Sequence, residues 1–244
     1  MIRSILHLCA AAALSVNAGA QPAWQAKNLQ HFPENIPREH LVQRMREFSF
    51  ALGVRCEYCH DAPEGNPNVA PNFASDEKGP KQKARAMLRM VEQLNSSILQ
   101  ALPSRAEPRV EVTCVTCHRG LPLPKTLQTT LLEIVKRDGA AAAVARYREL
   151  RRDQALTGRY NFGEWEINEL GRRLIEDGAS EAALAVLEMN AEFYPKSGVL
   201  QFQIGELLFA RGMNDLALAR YRIALALLPD HPGAKRRIAE LDKR

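Results

Sequence analysis

Residues 41–60 read LVQRMREFSFALGVRCEYCH, and residues 112–120 read VTCVTCHRG. Each stretch holds two cysteines three residues apart with a histidine directly after: Cys56, Cys59 and His60 in the first, Cys114, Cys117 and His118 in the second. On a helical turn, positions i and i+3 share a face, so both thiols point the same way and the next imidazole stands beside them. C-x-x-C-H is the signature of c-type haem attachment: the thiols form thioethers to one haem edge and the histidine takes one side of the iron. Two covalently bound haem c groups are therefore expected. The flanks of both pentapeptides show helical periodicity and no strand alternation, so the expected fold class is all-α.

Other cysteine chemistry fits poorly. The chain has 5 cysteines, and the pentapeptides use all of them except Cys9. Disulfides are the ordinary use of an even cysteine set in an exported protein, but they give no role to the two adjacent histidines. A zinc ribbon joins its C-x-x-C pairs across about 15–20 residues, whereas residues 60–113 separate Cys59 from Cys114. A thioredoxin-like pair needs a βαβ setting, which is absent from the pattern.

Cys9 falls in an amino-terminal segment that reads as an export signal: Arg3, an apolar run from Ile5 to Val16, then Ala18-Gly19-Ala20 before Gln21. That run is short of the ~20 residues that span a bilayer. Cleavage near Ala20 and Gln21 would leave a periplasmic chain with no integral membrane segment. The 244 residues are 46% hydrophobic and 25% charged, an ordinary globular composition. The net charge of +5 comes from interspersed acids and bases, with no polybasic run to suggest a nucleic-acid partner.

Haem iron needs a sixth ligand, and methionines are offered. From Pro37 to Leu52, the residues Leu41, Met45, Phe48 and Leu52 recur at helical spacing, with Met45 mid-stripe and Gly53 in the position of a C-terminal cap. A second helix is expected from about Pro80 to Leu102, with Ala84, Met87, Val91, Leu94 and Ile98 on one face. Met87 lies mid-stripe there and Met90 about 60° away, so Met87 is the candidate and Met90 the alternative. A buried methionine is otherwise a flexible core filler. The remaining histidines, His31, His40 and His231, do not lie mid-stripe.

The stretches LVQRMREFSFALGVRCEYCH, NFASDEKGPKQKARAMLRMVEQLN and VTCVTCHRG together make roughly residues 28–123 resemble the photosynthetic reaction-centre cytochrome c subunit and its smaller two-haem relatives. The resemblance implies His60 and Met45 on the first iron, and His118 with Met87, the earlier methionine of its pair, on the second. It also implies electron transfer between redox partners. The chain departs from the reaction-centre form in having one haem pair where that form has two in tandem. It also lacks a histidine shortly before Cys114, which favours methionine at the second site.

Past Pro122 and Pro124 the composition changes. Thr129 to Arg152 reads as one helix with an alanine run. A 34-residue period follows: Leu170-Gly171, Leu174, Ala183 and Pro195 recur as Ile204-Gly205, Leu208, Ala217 and Pro229, which resembles the tetratricopeptide repeat. Asn190 stands where that pattern prefers a small residue. The expected organisation is a signal peptide 1–20, a two-haem domain 21–124, a helical connector 125–160 and repeats 161–244. The repeats run about 164–197 and 198–231, with Pro232 to Leu241 as a capping helix. Two repeats are fewer than the ~3 that usually stand alone, so they must lean on something. They present either a groove for a redox partner or a buttress for the haem domain. A two-haem peroxidase would need an open iron with nearby acid and base groups, and a repeat-based interaction protein with structural or sensory haems is the other alternative.

Overall fold

A computed structural model describes residues 24–61, 69–104 and 107–243, so the export signal lies outside the described residues. Among these residues the regular structure is helical, apart from an isolated antiparallel bridge between Asp61 and Asn72. The helices are α1 (Arg38–Leu52), α2 (Cys56–Cys59), α3 (Gly79–Gln93), α4 (Cys114–His118), α5 (Leu127–Asp138), α6 (Ala140–Gln154), α7 (Glu164–Glu176), α8 (Ser180–Phe193), α9 (Gly198–Ala210), α10 (Asn214–Leu227) and α11 (Pro232–Leu241). The chain divides into two units, Met1–Arg46 with Cys56–Met90, and Glu47–Arg55 with Val91–Arg244. The dividing line runs inside the segment 21–124 that the sequence marks out as one domain.

The first unit contains α2 and most of α1 and α3. On α1 the stripe Leu41, Met45, Phe48 and Leu52 is half-buried, as its spacing requires. On α3 the most buried side chain is Arg85, at 8% exposed. Its guanidinium donates to Asp76 Oδ2 at 2.8 Å and to the Asn28 carbonyl at 3.1 Å. Lys81 Nζ donates to the carbonyl oxygens of Phe73 at 3.0 Å and Ser75 at 2.6 Å. These bonds tie carbonyls of the irregular segment before α3 to the helix.

In the second unit, hairpins stack. Helix α5 packs on α6, α7 on α8 and α9 on α10, while α8 meets both α6 and α9, α5 meets α7, and α11 covers α10. One core runs through them, with Leu127, Leu131, Tyr147, Ile167, Leu170, Leu200, Ile204 and Tyr221 fully enclosed. Close helix approach depends on small residues. A Cβ on Gly171 would lie 2.5 Å from Leu187, and one on Gly205 would lie 2.6 Å from the Tyr221 ring. Asn190, the residue that fits the repeat pattern least well, is wholly buried. Its amide donates to Asn168 Oδ1 at 2.9 Å and to the Glu164 carbonyl at 3.0 Å, tying α8 to α7.

Two expectations are corrected. Thr129 to Arg152 is not one helix, because Gly139 (φ +89°) ends α5 and begins α6. A left-handed glycine breaks the helical path at no steric cost, and the alanine run on α6 lets the two arms close into a hairpin. The segment 125–160 therefore holds two helices, α5 and α6, packed on each other. It is a third hairpin, and the two repeats lean on it. The helix expected from Pro80 to Leu102 stops at Gln93 and gives way to a π-helical turn, Leu94–Ile98. There Asn95 exchanges two bonds with the Val112 backbone, at 2.7 and 2.9 Å. Asparagine competes in this way with regular helix.

Candidate functional site

The first pentapeptide begins on the short helix α2 after Gly53 (φ +66°) has ended α1. The His60 amide donates to the Cys56 carbonyl at 2.9 Å, which continues the helical turn through the histidine. Its ring makes an edge contact with Phe73 at 5.1 Å. Its Nδ1 is buried with no hydrogen-bond partner. Burial first, then the positive charge of Lys81, holds this imidazole below its ordinary pKa. Lys78 Nζ donates to the Glu57 carbonyl at 2.6 Å, clamping the middle of the C-x-x-C. The Asp76 carboxylate nearby is held well below the usual range by its bond from Arg85, with Asn28 and Lys81 adding to it.

The second pentapeptide is α4 itself. Thr113 caps it with a reciprocal box, the Thr113 amide donating to Thr116 Oγ1 at 3.0 Å. Arg119 then turns left-handed (φ +48°), Gly120 follows at φ +83°, and the chain folds back under the histidine. His118 Nδ1 lies 2.8 Å from the Leu121 carbonyl oxygen. A carbonyl only accepts, so Nδ1 is the donor in this bond and Nε2 is the ring nitrogen that it leaves free. A histidine that ligates a metal is usually set this way, with its other ring nitrogen donating to a carbonyl or carboxylate.

None of the four pentapeptide cysteines is in a disulfide. Burial raises the thiol pKa of Cys59, against the pull of Lys78, and burial raises that of Cys114 too, with Cys117 and Glu47 adding to it. Large apolar side chains stand exposed in both units: Phe73, Met87 and Met90 in the first, which also holds Cys56–His60, and Phe50, Val110 and Val115 in the second, which holds Cys114–His118. Paired thiols, a histidine with a free ring nitrogen and uncovered apolar surface fit a covalently held haem.

The methionines are placed less tightly. Met45 is half-buried on α1 and belongs to the same unit as His60. Met87 and Met90 are 45% and 44% exposed, so exposure does not choose between them. The covered face of α3 passes instead through Lys81, Ala84, Arg85, Leu88 and Val91. Of the other histidines, His40 is exposed and His231 caps α11, its Nδ1 accepting from the Ala234 amide at 3.2 Å.

Sequence reading missed Lys78, Lys81, Arg85 and Asp76 at the first site, since a run of lysines on a helix reads as a solvated face. It also missed the contact of Gly53 with Gly120 and the approach of Arg159 at the second site, which join residues far apart in the chain.

Residues 65–155 match the family model described as the photosynthetic reaction centre cytochrome C subunit. The match covers residues 65–155 of the 244 and leaves the rest of the chain outside it. The cytochrome match begins after His60, includes the second pentapeptide and runs on through α5 and α6, past the boundary near Pro124 that the sequence suggested. Among curated proteins, cytochrome c-554 of Chloroflexus aurantiacus is 45% identical over 117 residues, covering 43% of this chain and 25% of its own length. The photosynthetic reaction center cytochrome c subunit of Rubrivivax gelatinosus is 35% identical over 82 residues, covering 34% and 19%. The chain thus spans a quarter or less of the length of these curated relatives. A solved chain named MamA AMB-1 covers 67% of this chain and 75% of its own at 18% identity, with a TM-score of 0.33, too loose a likeness to argue from. Among the described residues, no helix is long and apolar enough to cross a membrane.

Proposed function

We propose that the chain is an exported, periplasmic two-haem c-type cytochrome that carries single electrons between redox partner proteins and is not an enzyme. The observation that carries this reading is the pair of C-x-x-C-H turns, each with both thiols unbridged and the second with His118 oriented by the Leu121 carbonyl. Cys56 and Cys59 would hold one haem with His60 on its iron, and Cys114 and Cys117 the other with His118. Met45 would complete the first iron, and Met87, or Met90 in its place, the second. The haem supplies a reversible one-electron couple whose potential follows axial ligand, hydrogen bonding and burial. The chain's own residues fix the imidazoles, cover the attachment turns and set the local charge.

The haem domain is proposed to run from residue 21 to 124, and the stacked hairpins that follow are proposed as a tetratricopeptide-type module that docks a partner. The match of residues 65–155 to the cytochrome model, the helical fold of the described residues and the three successive hairpins support this division of labour.

Mass spectrometry of the mature protein tests the foundation: the expected result is two covalently added haems and an amino terminus near Gln21. One haem or none would defeat the two-haem reading. Carbon monoxide added to the reduced protein should leave both haem spectra nearly unchanged, because both irons are six-coordinate. Rapid binding at either haem would favour an open iron and a peroxidase-type enzyme.

A further inference from the structure

A cleft of about 370 Å³ lies against the second pentapeptide, lined by Phe50, Val115, Arg119, Gly120, Gly158 and Arg159 among others. Val115 sits between the two cysteines of α4, so the cleft abuts the attachment turn. Two cations line it. Arg119 is an exposed residue whose backbone turns left-handed at the end of α4, its amide donating to the Val115 carbonyl at 3.1 Å. Arg159 comes from the link between α6 and α7 and lays its guanidinium over Gly120, where an added Cβ would stand 2.8 Å from Nη2.

Arginines of the hairpin array, such as Arg148, Arg211, Arg222 and Arg237, meet carboxylates at 2.6–3.2 Å. Arg119 and Arg159 have no carboxylate partner among the described residues, and Arg159 Nε is shut from water with no acceptor at all. The guanidinium fork matches a carboxylate in shape and charge.

We propose that this cleft is where a carboxylate-bearing redox partner protein docks beside the second haem. This rests on the haem reading of Cys114, Cys117 and His118. Complementary charge at a docking rim acts chiefly on the association rate and its salt dependence. Phe50, 78% exposed, and Val115 give the rim an apolar contact next to the two cations.

The test uses the full-length holoprotein, reduced and mixed in stopped flow with an acidic blue-copper protein as acceptor. One iron(II) is oxidised to iron(III) for each copper(II) reduced to copper(I). A basic blue-copper protein and ferricyanide serve as comparison acceptors. At low salt, the Arg119→Gln/Arg159→Gln double variant should slow reduction of the acidic protein about tenfold and flatten its salt dependence. The basic acceptor should be unaffected or faster, and Arg222→Gln should stay within about twofold of the parent. Arg159→Lys, which keeps the charge, should recover part of the rate, and Arg119→Gln alone gives a variant at an exposed position should Arg159→Gln disturb folding.

Midpoint potentials of both haems, measured in every variant, separate a change of driving force from a change of docking. Equal loss with acidic and basic acceptors, or no more loss than in Arg222→Gln, would overturn the proposal. So would slowing with ferricyanide alone, which would make the cleft a small-anion site. If mass spectrometry finds no haem on Cys114 and Cys117, the underlying reading fails and this inference falls with it. Two haems with an indifferent cleft sink this inference alone.

Discussion

Replacing Gly53 by alanine attacks the point where the end of α1 meets the turn under His118. Gly53 has φ +66°, and an added Cβ would stand 2.3 Å from the Gly120 carbonyl oxygen and 3.0 Å from its carbon. Both atoms are backbone, so no side chain can swing aside to relieve the clash. The left-handed conformation alone costs an L residue about 1–2 kcal/mol. Pushing Gly120 away also threatens its amide bond to the Ala51 carbonyl at 2.8 Å, a bond worth about 0.5–1.5 kcal/mol. The expected total is about 2–3 kcal/mol, or a fall of roughly 5–10 °C in melting temperature for a chain of this size. Gly178→Ala is the control. Its φ is +76° with nothing within 4 Å of the added Cβ, so it should show the backbone cost alone, about 1–2 kcal/mol. Melting would be followed both by far-ultraviolet circular dichroism and by the haem absorption band. Gly53→Ala should also disturb the haem proposed on His118, since Leu121, whose carbonyl lies against that ring, follows Gly120 directly. If Gly53→Ala melted with Gly178→Ala and left that haem's spectrum untouched, the close approach of the two glycines would be refuted.

Asn190→Ala should destabilise the array by about 2–4 kcal/mol in chemical denaturation, because it opens a cavity and leaves the Glu164 carbonyl and Asn168 without their donor; a loss under about 0.5 kcal/mol would show that the buried amide is dispensable. For Glu206, burial pushes the carboxyl up, but bonds from Arg237 and Tyr221 outweigh it and the net shift is downward. A depressed folded pKa contributes stability above the unfolded value that is lost as pH falls through the folded one. The array should therefore weaken in acid below about the ordinary 4.5, and Glu206→Gln should flatten that loss in melts taken across the acid range.

What the sequence alone determined was local chemistry and local periodicity. The two C-x-x-C-H turns are legible because the haem attachment proposed for them needs fixed residue types at fixed spacing, and that spacing survives in any all-α setting. The half-buried stripe on α1 and the glycine that ends it were legible for the same reason, as were the 34-residue period and the capping helix. Tertiary structure decided what depends on residues distant in the chain. Gly139 looks like one more residue between a helical run and its alanines, yet its positive φ turns one expected helix into the third hairpin. Asn190 reads as a poor fit to its repeat, yet Asn168, 22 residues earlier, makes it a buried tie. The Lys81 and Arg85 stems read as a solvated face, yet carbonyls and a carboxylate brought up by the preceding loop bury them on α3. Arg159 offers no signal at all in its neighbourhood, and only folding sets it over Gly120. Periodicity reports which face a helix turns inward, but which partner meets that face is fixed by contacts across long loops, and the sequence prints no distance for those.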